Sequence, residues 1–258
     1  MTASDGRVAI VTAAGRGIGR AAAHELARAG MRLVLNDLDA TSVETVNREV
    51  RDLGAESDIV IGDISDPSVA VSLSERAVVR FGRLDVLVSN AGHIERVPFL
   101  DMTLEQLERV FRVCVTGSFL VAQAAAKVMV SRGSGGAIVF TGSYLARQPN
   151  PLTSAYNGAK AALSQFAATI AVELASDSIR VNVVEPGWID TPGERSAATP
   201  AELRVRGGML PWGRLGQPEE VAQAIAFLVS DQASYMTGAV LTVDGGLGLY
   251  GVRWKPKR

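Results

Sequence analysis

Residues 8–19 read V-A-I-V-T-A-A-G-R-G-I-G and run directly into R-A-A-A-H-E-L-A-R (20–28). The first four residues, Val8–Val11, are apolar without polar alternation, which is how a strand covered on both faces reads. The segment after the glycines is rich in alanine and leucine and suits a helix. Between them, glycines permit a tight turn and close approach of backbone to a ligand. The N-terminus of the following helix offers unpaired N–H groups and a positive dipole to an anion such as a pyrophosphate. Thr12, Gly15, Arg16, Gly17, Ile18 and Gly19 are therefore candidate cofactor contacts. The spacing is G-x-G-x-G followed by Arg20, not the usual dinucleotide G-x-G-x-x-G. A glycine-rich turn without a ligand satisfies the same pattern.

The strand–helix unit recurs along the chain. Apolar runs stand at 8–11, 33–35, 59–61, 86–88, 137–140, 181–184 and 240–243, most of them β-branched and not alternating. Longer segments of helical spacing separate them. Thr41…Glu44 and Thr103…Gln106 read as capping boxes, and Pro67 and Pro218 as first helical residues. This order predicts one α/β domain over 1–258: a doubly wound, mostly parallel seven-stranded sheet with helices on both faces, a Rossmann-type fold. The second run ends in L-N-D-L-D, placing Asp37 18 positions after Gly19. An acid about 20 residues beyond the glycines binds the adenosine ribose diol and repels a 2′-phosphate. That favours NAD over NADP, whereas Arg16 could pair with the same phosphate. Two helices, about 103–131 and 152–176, are apolar or small around most of their circumference. Such helices are covered on more than one side, so a homo-oligomer, dimer or tetramer, is expected.

Composition excludes several classes. The 258 residues carry a net charge of −1, with 47% apolar and 21% charged residues. No global basic field favours nucleic acid or a membrane surface. The basic end R-W-K-P-K-R (253–258) reads as a solvated terminus. The single cysteine, Cys114, and two histidines, His24 and His93, give no basis for a disulfide or a metal site. The sequence shows no secretory leader pattern and no uninterrupted apolar run of about 18 residues. A cytoplasmic protein without a membrane span is the expectation.

S-A-Y-N-G-A-K (154–160) places Tyr156 and Lys160 one helical turn apart, so both can face one way. Together with the turn at 12–19, these residues resemble the short-chain dehydrogenase/reductase family over nearly the whole chain. The turn resembles the family's T-G-x-x-x-G-x-G, with Thr12, Gly17 and Gly19 in place. Asp63-Ile64 stands where the family contacts adenine, and Asn90-Ala91-Gly92 resembles its N-A-G segment. Ser143 precedes Tyr156 by 13 residues, and Tyr156-x-x-x-Lys160 matches the active-site pair. V-E-P-G-W-I-D-T-P (184–192) resembles the segment lining the nicotinamide, which implies cofactor contacts from Pro186, Gly187, Ile189 and Thr191. The C-terminal third is similar to glucose 1-dehydrogenase-like and 3-oxoacyl-carrier-protein reductase-like members.

The resemblance implies hydride transfer between a nicotinamide cofactor and an alcohol or carbonyl substrate. Oxidising an alcohol requires a base for its O–H proton. A free phenol titrates near pH 10, too high for an effective base at neutrality. A neighbouring ammonium favours the phenolate. Tyr156 is then the acid/base, Lys160 its tuning cation and a ribose ligand, and Ser143 the donor that orients the substrate oxygen. NAD and a sugar or secondary alcohol are favoured. The alternatives are an NADPH-dependent 3-oxoacyl thioester reductase and a nucleotide-binding protein of the same fold with little turnover.

Two positions depart from the family. Ala13 replaces the first glycine of the turn, which a negative φ would tolerate. Cys114, in V-C-V-T-G (113–117), replaces an asparagine that in the family marks a helix distortion holding a water on the proton path to the lysine. A thiol bonds weakly and behaves as a small buried hydrophobe, so the role of Cys114 in a proton relay is in doubt. His24 is expected on the first helix as a surface or partly packed residue, and His93 at the edge of the pocket. Residues 188–212, with Trp188, Gly207, Gly208, Met209 and Trp212, occupy the variable substrate loop and read as an adaptable lid or a surface helix pair. No cluster of charges there specifies an anionic substrate.

Overall fold

A computed structural model describes residues 6–250. The basic stretch 253–258 and residues 1–5 lie outside it. Strands β1 (Val8–Val11), β2 (Arg32–Asp37), β3 (Ser57–Ile61), β4 (Val86–Ser89), β5 (Gly136–Thr141), β6 (Ile179–Pro186) and β7 (Val240–Val243) form one sheet in the order β3-β2-β1-β4-β5-β6-β7. Every pairing is parallel, not merely most of them.

Side chains along each strand divide between two cores. Ala9, Val11, Leu33, Leu35, Val86 and Val88 pack on one face with α1 (Gly17–Arg28), α2 (Ala40–Asp52) and α9 (Pro218–Val229). Val8, Ile10, Val34, Leu87, Ile138 and Phe140 pack on the other with α3 (Pro67–Phe81), α5 (Ser118–Arg132) and α6 (Ser154–Glu173). Helices on both faces are why the central strands show no polar alternation. The edge strands are less covered: β7 leaves Val240 exposed, and β3 is mostly half-buried.

Helix starts follow local chemistry, with one correction. Asp66 caps α3 ahead of Pro67, and Thr103 and Gln106 form the expected box on α4 (Leu104–Phe111). The box expected at Thr41…Glu44 does not form. Asp39 caps α2 instead, accepting from Thr41 N (3.0 Å) and Ser42 N (3.4 Å), so Thr41 already lies inside the helix. A carboxylate just past the strand end takes those N–H groups before a later threonine can.

α4 continues through a π-helical turn, Arg112–Gly117, into α5. The stretch Leu104–Arg132 has the length and composition of a membrane span, although Thr116, Gly117, Ser118 and Gln123 interrupt its apolar run. Here it packs within the helical layer: Val121, Ala122, Ala125 and Met129 join the core beneath the sheet, and Phe119 meets Phe166 of α6 at 5.3 Å between ring centroids. Residues 188–212 form two short helices, α7 (Pro192–Ala197) and α8 (Pro200–Gly208), rather than a loose loop. They sit on their own apolar cluster of Ala198, Leu203, Leu210, Leu215 and Leu247, against Tyr144 and Trp188.

Candidate active site

The chain runs from β1 outward to β2 and β3, then returns to β4 on the other side of β1. The carboxyl ends of strands at such a switch point leave a crevice in open α/β sheets. A cleft of about 700 Å3 lies there, lined by β-strand ends, the turn before α1, and residues of α6 and α7–α8.

At its phosphate end, Arg16 precedes α1 without a side-chain cap, and the first turn holds no acid. The N-terminal N–H groups of α1 are thus left for an anion. Gly17 has φ +55°, a conformation costly for other residues. Gly19 packs directly beneath Ala13: a Cβ at this position would lie 2.0 Å from the Ala13 carbonyl oxygen. Ala13 itself has φ +49°, not the negative value expected. The family's glycine position keeps its left-handed backbone, and the alanine methyl carries a strain of about 1–2 kcal/mol.

Asp37 ends β2 and lines the cleft. Its Oδ2 accepts from Gly15 N (2.9 Å) and its Oδ1 from Asp39 N (3.1 Å). Two N–H donors hold this carboxylate in place, and it retains lone pairs for a diol. The Ser42 hydroxyl and N–H hold the Asp39 carboxyl below its usual range, with smaller contributions from the Thr41 N–H and the Arg16 charge. Arg16 lines this same end of the cleft.

In the middle, Thr12 is fully buried and its Oγ1 accepts from Asn90 N (2.9 Å) and Ala91 N (3.2 Å). Asn90 Nδ2 donates back to the carbonyls of Thr12 and Ala13, and Thr141 Oγ1 donates to Asn90 Oδ1 (3.2 Å). This network clamps the N-A-G segment across β1 and β5.

At the reacting end, Ser143 follows β5 in extended backbone, 6% exposed, its Oγ accepting from Leu145 N (3.2 Å). Tyr156 and Lys160 rise from the first turns of α6. The Lys160 ammonium is buried, lies 5.6 Å from the Tyr156 ring centroid, and donates to the Thr141 carbonyl at 2.7 Å. An ammonium has three donors, and this bond uses one. Cys114 lies behind, fully buried in the π-helical turn. Its Sγ accepts from His93 N and donates to His93 O, both at 3.4 Å. The thiol thus supplies both a donor and an acceptor, as a weakly bonding group, at the greater lengths sulfur imposes.

Of the residues expected from sequence, Arg16, Gly17, Ile18, Asp37, Asp63, Ile64, Asn90, Ala91, Gly92, Ser143, Tyr156, Lys160, Pro186, Gly187, Ile189 and Thr191 line one cleft. Thr12, Gly15, Gly19 and Cys114 do not; they support it from behind. His93 is a lining residue as expected, its ring on Glu95 at 3.2 Å, and His24 is partly packed against Glu49. Arg96, Tyr144, Leu145, Glu194 and Arg206 also line the cleft and were not singled out, and Trp188 and Met209 of the expected substrate segment line it too. Tyr144 and Leu145 follow Ser143 directly, which was the available signal. Burial, then Glu194 and Tyr156, pushes the Tyr144 hydroxyl up.

The model of the family described as enoyl-(acyl carrier protein) reductase matches residues 12–248. The chain belongs to the short-chain dehydrogenase/reductase family. It is 42% identical to a cis-4-hydroxycyclohexanecarboxylate dehydrogenase of Sinomonas cyclohexanicum, over 93% of this chain and 96% of that protein. It is 38% identical to an L-rhamnose 1-dehydrogenase (NAD(P)(+)) of a Sphingomonas species, over 94% and 96%. A solved 7α-hydroxysteroid dehydrogenase, complexed with NADH and 7-oxo glycochenodeoxycholic acid, superposes with a TM-score of 0.89 at 36% identity, over 94% of each chain. The protein is an oxidoreductase of this family acting on CH–OH groups with a nicotinamide cofactor. The uncapped α1 N-terminus, the anchored Asp37 and the unspent Lys160 donors fit such a cofactor.

Proposed function

We propose that this short-chain dehydrogenase/reductase oxidises a secondary alcohol with NAD, Tyr156 serving as the acid/base. The observation that carries the proposal is that Ser143, Tyr156 and buried Lys160 line the same cleft, with the Lys160 ammonium 5.6 Å from the Tyr156 ring centroid. When bound, the nicotinamide accepts the hydride from the carbinol carbon. Tyr156 takes the hydroxyl proton as the hydride departs, and returns it in the reductive direction. Lys160 supplies positive charge one turn away and donors for the nicotinamide ribose. Ser143 Oγ donates to the substrate oxygen and steadies its developing charge. Pro186, Gly187, Ile189 and Thr191 would hold the nicotinamide, and Asp63 and Ile64 would contact the adenine, all of them lining the cleft.

NAD is favoured over NADP because the Asp37 carboxylate, held by two N–H donors, would meet the adenosine ribose. A 2′-phosphate there meets a carboxylate at short range, whatever Arg16 contributes. The protein is proposed to act in the cytoplasm as a homo-oligomer, dimer or tetramer, through the long helices. Leu104 and Leu107 of α4, Phe119 and Val130 of α5 and Val172 of α6 leave apolar side chains outward. Sedimentation at micromolar concentration reads the assembly directly.

An NAD-reduction screen over sugars, polyols, hydroxysteroids, hydroxy acids and hydroxyacyl thioesters tests the activity, with Tyr156→Phe as control. The expected result is NADH binding by both proteins and turnover by the wild type alone. Absence of turnover in both, with binding intact, defeats the proposal. Tighter binding of NADPH than NADH defeats the cofactor preference.

A further inference from the structure

Beyond Tyr156 the cleft carries a cation that, among the described residues, has no hydrogen-bonded or ion-paired partner. Arg206, on the last turn of α8, lines the cleft and stacks on the Trp188 ring, its guanidinium carbon 5.8 Å from the ring centroid. Among the described residues its guanidinium makes no hydrogen bond and no ion pair. The oxygens of the nearby carboxylates are hydrogen-bonded elsewhere, although the Glu202 charge still acts on Arg206 through space. Glu202, one turn earlier, accepts from Thr199 N (2.7 Å) and Thr199 Oγ1 (2.8 Å) in the capping box of α8. Glu194 accepts from Arg96 (3.0 Å) and from the Trp188 indole N–H (3.3 Å). Among the charged side chains that line this half of the cleft, Arg96 and Glu194 cancel and Arg206 is left.

The chemistry of that group is specific. A guanidinium stacked on an indole commits its face to the ring and leaves its N–H edges for a planar acceptor. A carboxylate meets such an edge with two parallel hydrogen bonds. One surplus charge balances a monoanion, whereas a dianion such as a phosphate monoester leaves negative charge uncompensated beside Glu194. Ile94, Leu145 and Met209 add hydrocarbon to a lining that also includes the polar Tyr144, Asn150 and Glu194.

We propose that the substrate is a hydroxy acid: a secondary alcohol on a mainly hydrocarbon skeleton whose carboxylate is held by Arg206. This rests on the oxidoreductase function proposed above. The reaction converts the hydroxy acid and NAD to the keto acid, NADH and a proton. The C–H electron pair leaves as hydride, the O–H proton goes to Tyr156, and the carboxylate is unchanged. Arg206 is a specificity-determining residue here, acting on the end of the substrate remote from the reacting carbon.

The test compares 4-hydroxycyclohexanecarboxylate and 3-hydroxybutyrate with their methyl esters, in wild type, Arg206→Gln and Arg206→Lys. Wild type is expected to prefer acid over ester in kcat/KM. Arg206→Gln lowers the acid-to-ester ratio by about 10–100-fold, the value of one charge-assisted contact, chiefly through KM. Arg206→Lys recovers part of the ratio, since it keeps the charge and loses the fork. Binding is read without turnover by titrating cyclohexanecarboxylate and cyclohexanecarboxamide into the protein saturated with NADH. The acid binds more tightly, and Arg206→Gln removes the difference. An acid-to-ester ratio that does not move with Arg206, in a variant with unchanged melting temperature, overturns the assignment. If neutral alcohols or sugars turn over and the acids do not, the hydroxy-acid assignment fails and the oxidoreductase function stands. If no alcohol of any kind turns over, both fail.

Discussion

Truncating Cys114 to alanine isolates the least expected contact behind the site. The Sγ atom is fully buried and touches both His93 N and His93 O at 3.4 Å. Removing it leaves one N–H and one C=O to find other partners, at about 0.5 kcal/mol each for bonds to a weakly polar sulfur. Deleting a buried heavy atom adds about 1 kcal/mol in transfer and cavity cost. The sum is about 2 kcal/mol, or a melting temperature lower by about 4–8 °C in a chain of this size. The segment released is the one that carries Asn90-Ala91-Gly92. A Cβ built on Gly92 would lie 3.6 Å from Lys160 Nζ and 4.0 Å from Cys114 Sγ, so the thiol and the ammonium border the same backbone. Loss of the thiol is therefore expected to lower kcat as well as stability, with NADH affinity changed less. The assays are thermal unfolding and the kcat–pH profile of wild type, Cys114→Ala and Cys114→Asn. An amide at 114 reaches the same two groups with ordinary hydrogen bonds, so Cys114→Asn retains or exceeds wild-type kcat. A Cys114→Ala protein with wild-type melting temperature and wild-type kcat would refute the bracing role of the sulfur. A large rate gain in Cys114→Asn would show that sulfur only partly supports the lysine's proton exchange.

Three further outcomes follow from the geometry. Gly19→Ala places a methyl 2.0 Å from the Ala13 carbonyl and 2.7 Å from Asn90 Nδ2, so the start of α1 must move by about 1 Å; NADH affinity and kcat/KM fall by about 100-fold, and near-wild-type binding by calorimetry contradicts the close approach. Ala13→Val puts a β-branched residue at φ +49° and lowers unfolding free energy by about 1–3 kcal/mol in urea titration, whereas a neutral effect argues that the left-handed conformation is not kept in solution. Glu220→Gln tests the Arg214 pair: that guanidinium, then Gln217 N–H, holds the Glu220 carboxyl down at about 2 from the usual 4.5. A depressed carboxyl adds stability above the unfolded value and loses it as pH falls through the folded one, so the gap between variant and wild type narrows from pH 5 toward about pH 2. Exposure of both side chains limits the gap to about 1 kcal/mol or less at pH 7, and a gap constant across that range counts against the ion pair.

The parts of the molecule legible in sequence are those fixed by local spacing. Seven apolar runs without alternation marked the strands because helices cover both faces of the sheet, which removes the period-two signal. Tyr156 and Lys160 share a face because four residues make one helical turn, and Asp37 falls at a strand end whose position the run itself defines. Thr103 capped its helix as its spacing required, but Thr41 did not, because Asp39 stood nearer the strand end and took the same donors.

What depends on groups remote in sequence only the tertiary structure decides. Ala13 takes positive φ with its carbonyl close over Gly19 and accepting from Asn90 Nδ2, an arrangement no residue type at position 13 announces. Cys114 finds a donor and an acceptor 21 residues away in His93. Arg206 reads in sequence as an ordinary cation at a helix end; it becomes a substrate contact because Trp188 comes under it while Glu194 and Glu202 bond elsewhere. Spacing along the chain sets which side chains share an element. Whether a charge faces the cleft without a partner depends on what other elements bring beside it, and that is settled only when they pack.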